Sequence, residues 1–206
     1  MMLLALDTTA AVATAALFRD SALIAEREAD AGKKHAETAL PLIEALLEEN
    51  GVSIDQIDQF AVDIGPGSFT GVRIGVSLIN ALAFASGKGV VPVDSLETLA
   101  RSVAETSHPV CAMIDARNGN AYAALYQVSE TKIEPCAVEI ATFIATLPAD
   151  TIFVGDANVE EKTYPRARFV GMIALAKPET ALPEVEPMYL RPSQAERTKQ
   201  TSVKEA

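Results

Sequence analysis

The chain has 206 residues, is 49% hydrophobic and carries a formal net charge of −11. That length and apolar share support a sizeable core, while the acidity opposes strong unaided binding to a nucleic-acid backbone, so any nucleic acid must be met through a basic partner. No apolar run reaches the roughly 18 residues of a membrane span, Asp7 comes too early for a signal peptide, and Cys111 and Cys136 lack the spacing of a metal or redox pair; a cytoplasmic protein with reduced core cysteines and no membrane contact is expected.

Residues 3–6, 12–18 and 22–28 read as a meander of three short strands, broken by turns at 8–10 and 19–20. A helix at 35–50 stops at Gly51, and Pro41 inside it is expected to kink it or reset its start. A strand at 60–64, a helix at 70–86 closed by Gly87 and Gly89, a strand at 90–93 and a helix at 95–105 capped by Ser95 follow.

A second copy of the opening then appears. LALDTTAAVATAALF, at 4–18, aligns without a gap on AMIDARNGNAYAALY, at 112–126, bringing Asp7 onto Asp115, Ala13 onto Ala121 and Leu17 onto Leu125. Behind it come a strand at 132–139, a short helix at 142–147, a strand at 152–155 and an apolar helix at 168–177. Two lobes, 1–106 and a smaller 107–192, are expected, followed by a mobile polar tail at 193–206.

This order resembles the actin-like, sugar-kinase-like ATPase superfamily. The resemblance implies an α/β fold, duplicated into two lobes with mixed sheets, whose first turns hold nucleotide phosphates beside an active cleft. Phosphate oxygens approach backbone N–H groups closely only where Cβ is absent. Yet the first turn, DTTAAV, has no glycine, and the second, DARNGN, has only Gly119.

Residues 65–75, GPGSFTGVRIG, pose the sharper question. Gly65 and Gly67 permit positive φ and Pro66 fixes its own, so the chain can turn from strand into helix, with Ser68 or Thr70 as cap. The free N–H groups of that helix start, with Arg73 one turn in, would also welcome an anion. Two readings stand: a structural corner, or a weak nucleotide or anion site made from Asp7, Thr8, Thr9, Gly65, Gly67, Ser68, Arg73 and Gly119. The block lacks the lysine of a P-loop and the GxSxG of a nucleophile elbow. His35 reads as a solvated helix start beside Glu37, and with His108 remote from it no metal pair can be assembled.

On the helix at 70–86, Thr70, Arg73, Ser77 and Asn80 form one polar stripe, and apolar residues spread over the remainder, far wider than one sheet contact needs. The helix at 35–50 has a similar excess. Such surplus points to a face that meets another protein, with Gly71 and Gly75 allowing close helix approach.

With DTT, KKHAETALPLI, DARNG and PMYLRP, the GPGSFTG-R-G block resembles the TsaB family, also called YeaZ, from Leu3 to Arg191. The resemblance implies a non-catalytic subunit that, with TsaE, supports TsaD in placing a threonylcarbamoyl group on the tRNA adenosine beside the anticodon. TsaD carries a metal-binding histidine pair just past the equivalent strand; those two positions fall here at Ser95 and Leu99, which cannot replace imidazole. His35, Ala39, Leu42, Leu46, Gly71, Gly75, Leu78, Ile79 and Leu82 are then expected to meet TsaD or, in the chain alone, a second copy. The chain itself is expected to need no cofactor or metal, with ATP or ADP at most at the partner interface. The alternatives are an active ATPase or kinase holding Mg-nucleotide at Asp7, Thr8, Thr9 and Gly119, and a peptidase acting on its partner.

Overall fold

The structure, a computed structural model, describes residues 1–32, 34–103, 105–128 and 130–191. The tail expected at 193–206 lies outside the described residues. β1 (Met2–Asp7) is central in a five-stranded sheet. It pairs antiparallel with β2 (Val12–Arg19), which pairs antiparallel with β3 (Ala22–Asp30). On its other side β4 (Gln59–Asp63) and β5 (Val90–Val93) run parallel to it. Both faces of β1 are covered, which is why MLLALD reads as one apolar run rather than an alternation.

Successive side chains of a strand point to opposite faces, so the sheet feeds two cores. Leu4, Leu6, Phe60 and Val62 pack under α1 (His35–Glu49) and α2 (Phe69–Ser86). Leu3, Ala5, Ala61 and Val93 pack against a helix from the far end of the chain, α5 (Ala167–Ala176). α1 runs through Pro41 as one helix.

The second sheet repeats the order of the first: β8 (Glu130–Glu139), β7 (Asn120–Gln127), β6 (Val110–Asp115), then β9 (Ile152–Gly155) parallel to β6. The hairpins differ by a residue. Residues 8–13 link the closing pair Asp7 and Thr14, whereas 116–120 link Asp115 and Ala121. The ungapped alignment of the two openings is therefore out of structural register after the turn. One face of this sheet is covered by α3 (Ser95–Ser102), through Leu96 and Leu99, and the other by α4 (Ile140–Ile144). The helix expected at 142–147 starts earlier because Glu139 caps it, accepting from the N–H groups of Ala141 and Thr142. α3 is likewise capped by Asp94, not by Ser95.

Each half thus lends its last helix to the other half's sheet. An ion cluster ties the exchange down. Glu26 on β3, its side chain 4% exposed, accepts from Nε (2.6 Å) and the backbone N–H (3.0 Å) of Arg168 in the first turn of α5, and from Nη2 (3.2 Å) of Arg166 just ahead of it. Glu26→Ala is expected to cost about 2–3 kcal/mol in urea unfolding, because it strips three charge-assisted bonds from the α5 entry. An unchanged midpoint would show that the cluster is ornamental.

From Leu182 to Arg191 the chain forms a strap. Leu182 and Val90 exchange backbone hydrogen bonds of 2.8 Å, Asn80 bonds both backbone groups of Val185, and the Met188 N–H donates to Ile64 O. Asn80, expected on the polar stripe of this helix, is therefore the strap's anchor. By length and composition α2 is apolar enough to cross a membrane, contrary to expectation. Its six buried residues, Val72, Val76, Ile79 and Ala83 with Gly71 and Gly75, instead face the rest of the fold.

Candidate functional site

Asp7 and Asp63 end the neighbouring parallel strands β1 and β4, and both are 0% exposed. Asp7 Oδ1 accepts the N–H and hydroxyl of Thr9 at 2.8 and 2.7 Å, holding the first turn closed. Asp63 Oδ1 accepts the Gly65 N–H at 2.9 Å and the Ser95 hydroxyl at 2.5 Å, fixing the GPG corner. The corner has Gly65 at φ +99° and a cis Gly65–Pro66 bond. Ser68 donates its N–H to Thr9 O (2.8 Å) and caps α2 by accepting from the Gly71 N–H.

α2 then presses into the first turn. A Cβ on Gly71 would lie 2.0 Å from Thr8 O, and one on Gly75 would lie 2.2 Å from Thr8 Oγ1. Thr8 spends its hydroxyl on Gly71 O at 2.7 Å. The backbone of α2 therefore fills the space directly beside this turn. Thr8 is 0% exposed, and the donors of Thr9 already serve Asp7. Asp7, sealed from solvent, has no path to a cation on a nucleotide. The first turn does not fit Mg-nucleotide.

The second turn is built differently. Arg117, Asn118 and Gly119 all have positive φ (66°, 56° and 73°), and Asp115 Oδ1 accepts the Arg117 N–H. Between the turns lies a cleft of about 800 Å³, lined in part by Thr9, Gly67, Ser68, Asp115, Arg117 and Arg191. Of the residues expected to bind nucleotide or anion, Thr9, Gly67 and Ser68 reach this cleft. Asp7, Thr8 and Gly65 lie buried behind it, and Gly119 is in the exposed turn opposite. Arg73 is engaged elsewhere: its guanidinium carbon sits 3.8 Å from the Phe69 ring centroid and its Nε donates to Tyr189 OH at 2.7 Å, pinning the strap. Tyr189 and Arg191 reach the site from the strap, where PMYLRP marks the segment but no spacing marks their roles.

Burial dominates the electrostatics. It pushes the Asp7 carboxyl up to about 7, against the pull of its bonds from Thr9. Asp63 is raised well above the usual carboxylate range by burial and then by the charge of Asp7. Asp94 rises to about 6, again through burial, and the Cys111 thiol to about 12.

The residues expected at a partner interface separate into two sets. Ala39, Leu42, Leu46, Gly71, Gly75 and Ile79 are buried within the chain, so they hold α1 and α2 to the sheet and to each other. His35 is not solvated: it is 4% exposed and its Nε2 lies 2.7 Å from Ala10 O. Leu78 and Leu82 are half-buried. Beside them on α2 lie half-buried Ile74 and exposed Ala81 and Ala85, while Leu40 of α1 is 41% and Phe84 87% exposed. Among the described residues no group of three or more His, Cys, Asp or Glu is placed to hold a metal. Ser95 and Leu99 are both fully buried.

Residues 28–174 match the family model described as TsaD: tRNA N6-adenosine threonylcarbamoyltransferase. The chain is 36% identical over 134 residues to the tRNA threonylcarbamoyladenosine biosynthesis protein TsaB of Bacillus subtilis, covering 65% of this chain and 58% of that protein. The TsaB of Escherichia coli gives 36% over 135 residues, with the same coverage. The chain thus spans less than two thirds of either relative. A solved Pseudomonas aeruginosa structure, described by its similarity to peptidase YeaZ, superposes with a TM-score of 0.81 at 27% identity, covering 92% of this chain and 99% of that one. On its likeness to the TsaB proteins and to this structure, within the range that the TsaD model matches, the chain belongs to the TsaB (YeaZ) family.

Proposed function

We propose that the chain serves threonylcarbamoyladenosine formation on tRNA as a non-catalytic subunit, docking TsaD, together with TsaE, through the outer faces of α1 and α2. The observation that carries this is the surplus of α2: eighteen mostly apolar residues, of which only six are buried. The outward apolar arc of Ile74, Leu78, Ala81 and Ala85 has no cover from the strap, which sits on the Asn80 side. The filled first turn supports the same reading, since it removes the phosphate seat that an ATPase would need. In this reading the chain holds no cofactor of its own, and ATP or ADP belongs to the assembled complex.

The exposed side of α1 carries Glu37, Glu44 and Glu48 in one row. A second copy brought face to face would set like charges against each other, so self-association through this face is expected to be weaker than docking to a partner with basic residues.

Leu40→Asp and Ala81→Arg test the surface, because both positions are exposed. Each is expected to weaken TsaD binding about 100-fold in titration calorimetry and to deplete threonylcarbamoyladenosine in cellular tRNA, with a thermal midpoint near that of the parent. Unchanged binding by both variants would move the interface elsewhere. Nucleotide hydrolysis by the pure chain, lost in Asp7→Ala, would overturn the non-catalytic assignment itself.

A further inference from the structure

The place where the superfamily resemblance would put a cation-binding acid is occupied here by two acids and no visible counter-charge. Asp7 and Asp63 occupy successive positions after the paired residues Leu6 and Val62 of parallel strands. Their side chains therefore leave the sheet on the same face, with backbones about 4.8 Å apart. Each carboxyl has one oxygen fully employed: Oδ1 of Asp7 by Thr9, and Oδ1 of Asp63 by Gly65 and Ser95. Each also has one oxygen, Oδ2, buried without any hydrogen-bond partner. Two orphaned acceptors in one dry place are untenable unless one becomes a donor.

We propose that Asp7 and Asp63 hold one proton between them in the folded chain, one Oδ2 as O–H donating to the other Oδ2, in the position where a nucleotide-binding relative of this fold would be expected to put charge to use. The remaining charged groups acting on the pair are all acidic. Glu26 faces Asp7 from β3 but is neutralised by Arg166 and Arg168 at the start of α5, and Asp94 faces Asp63 from the start of α3. Among the described residues no cation offsets the pair, so a proton is the neutraliser that the site can accommodate. The elevated affinity of Asp7 for its proton, at about 7, is in line with this geometry.

A consequence for stability follows from linkage. The folded chain keeps a proton that the unfolded chain, with Asp near 3.8, has already lost. The stabilising contribution is complete below about pH 4 and drains away as pH rises to about 7, opposite to the behaviour of a salt-bridged carboxylate. Asp94, raised to about 6, adds to the same trend, so Asp94→Asn serves as the background in which the pair is read.

Asp63→Asn imitates the protonated acid: its carbonyl keeps the Gly65 and Ser95 bonds while its amide donates to ionised Asp7. In the Asp94→Asn background, the thermal midpoint is expected to fall by roughly 5–10 °C from about pH 5 to pH 8 with the pair intact, and to stay nearly level with Asp63→Asn. The double replacement Asp7→Asn with Asp63→Asn opposes two amide donors and is expected to lose what the single one gains. Parallel pH profiles for the two proteins, or a midpoint that rises with pH, would overturn the shared proton. So would a rise in the parent's midpoint with added magnesium or sodium that Asp63→Asn abolishes, since the pair would then be a cation site. Should the Asp63 variants not fold, infrared spectra of the Asp94→Asn protein labelled with 13C-aspartate decide the matter: an un-ionised aspartic carbonyl band persisting at about pH 6 upholds the proposal, and its absence rejects it.

Discussion

Gly71→Ala is expected to lower stability by about 3 kcal/mol or more, shifting the thermal midpoint down by roughly 6–12 °C. The added methyl would meet Thr8 O at 2.0 Å, an atom of the backbone in a turn held shut by Asp7. Nothing there can rotate aside, so α2 itself has to back away, and the Thr8 hydroxyl bond to Gly71 O goes with it. Gly75→Ala provides the comparison. Its methyl would meet Thr8 Oγ1 at 2.2 Å, a side-chain atom that can be deleted. Thr8→Ala should therefore rescue much of the loss in Gly75→Ala and none of it in Gly71→Ala, a non-additivity readable in denaturant unfolding of the parent, the three single variants and the two double variants. Equal rescue of both would mean that the helix does not rest on the turn as described. Ser77→Ala, on the exposed side of the same helix, should change little.

Ile79→Asp is expected to prevent folding altogether. The side chain is 0% exposed in the core shared by α1, α2 and the first sheet, and among the core's members no cation stands ready for a carboxylate. Burying an unpaired acid there costs about 4 kcal/mol or more, a large part of the stability of an ordinary domain. Leu42→Asp should behave alike, whereas Ile79→Val should cost only about 1 kcal/mol. Circular dichroism of the purified variants checks this. A well-folded Ile79→Asp that had merely lost its partner would place Ile79 on the outer arc and reverse the assignment of helix faces.

That contrast shows where the sequence was legible. The strands announced themselves through apolar runs bounded by turns, and the order of the elements followed. The duplication was visible in its design, though the one-residue difference between hairpins lies in the turns, where an Ala-rich alignment has little to register on. Helix faces were harder. When Val72, Ile74, Val76, Leu78, Ile79 and Leu82 wrap most of α2, periodicity does not say which arc is inward. The small residues decide it: Gly71 and Gly75 must face the first turn, and the inner side follows. His35 deceived because its partner is a backbone carbonyl twenty-five positions earlier. The strap left almost no trace, since a segment seated by Asn80, Ile64 and Arg73 needs no periodicity of its own.

The reciprocal loan of α3 and α5 has a temporal side. As the chain leaves the ribosome, the five strands of the first sheet are all present by Val93, yet Leu3, Ala5, Phe18 and Val91 have nothing to lie on until Ala167–Ala176 emerges. Early chain segments must therefore wait, sticky on one side, for the late ones. Contacts so distant in sequence close slowly. A nascent chain of this design keeps one face of its first sheet uncovered until Ala176 has been made, so that core closes well after the strands that build it.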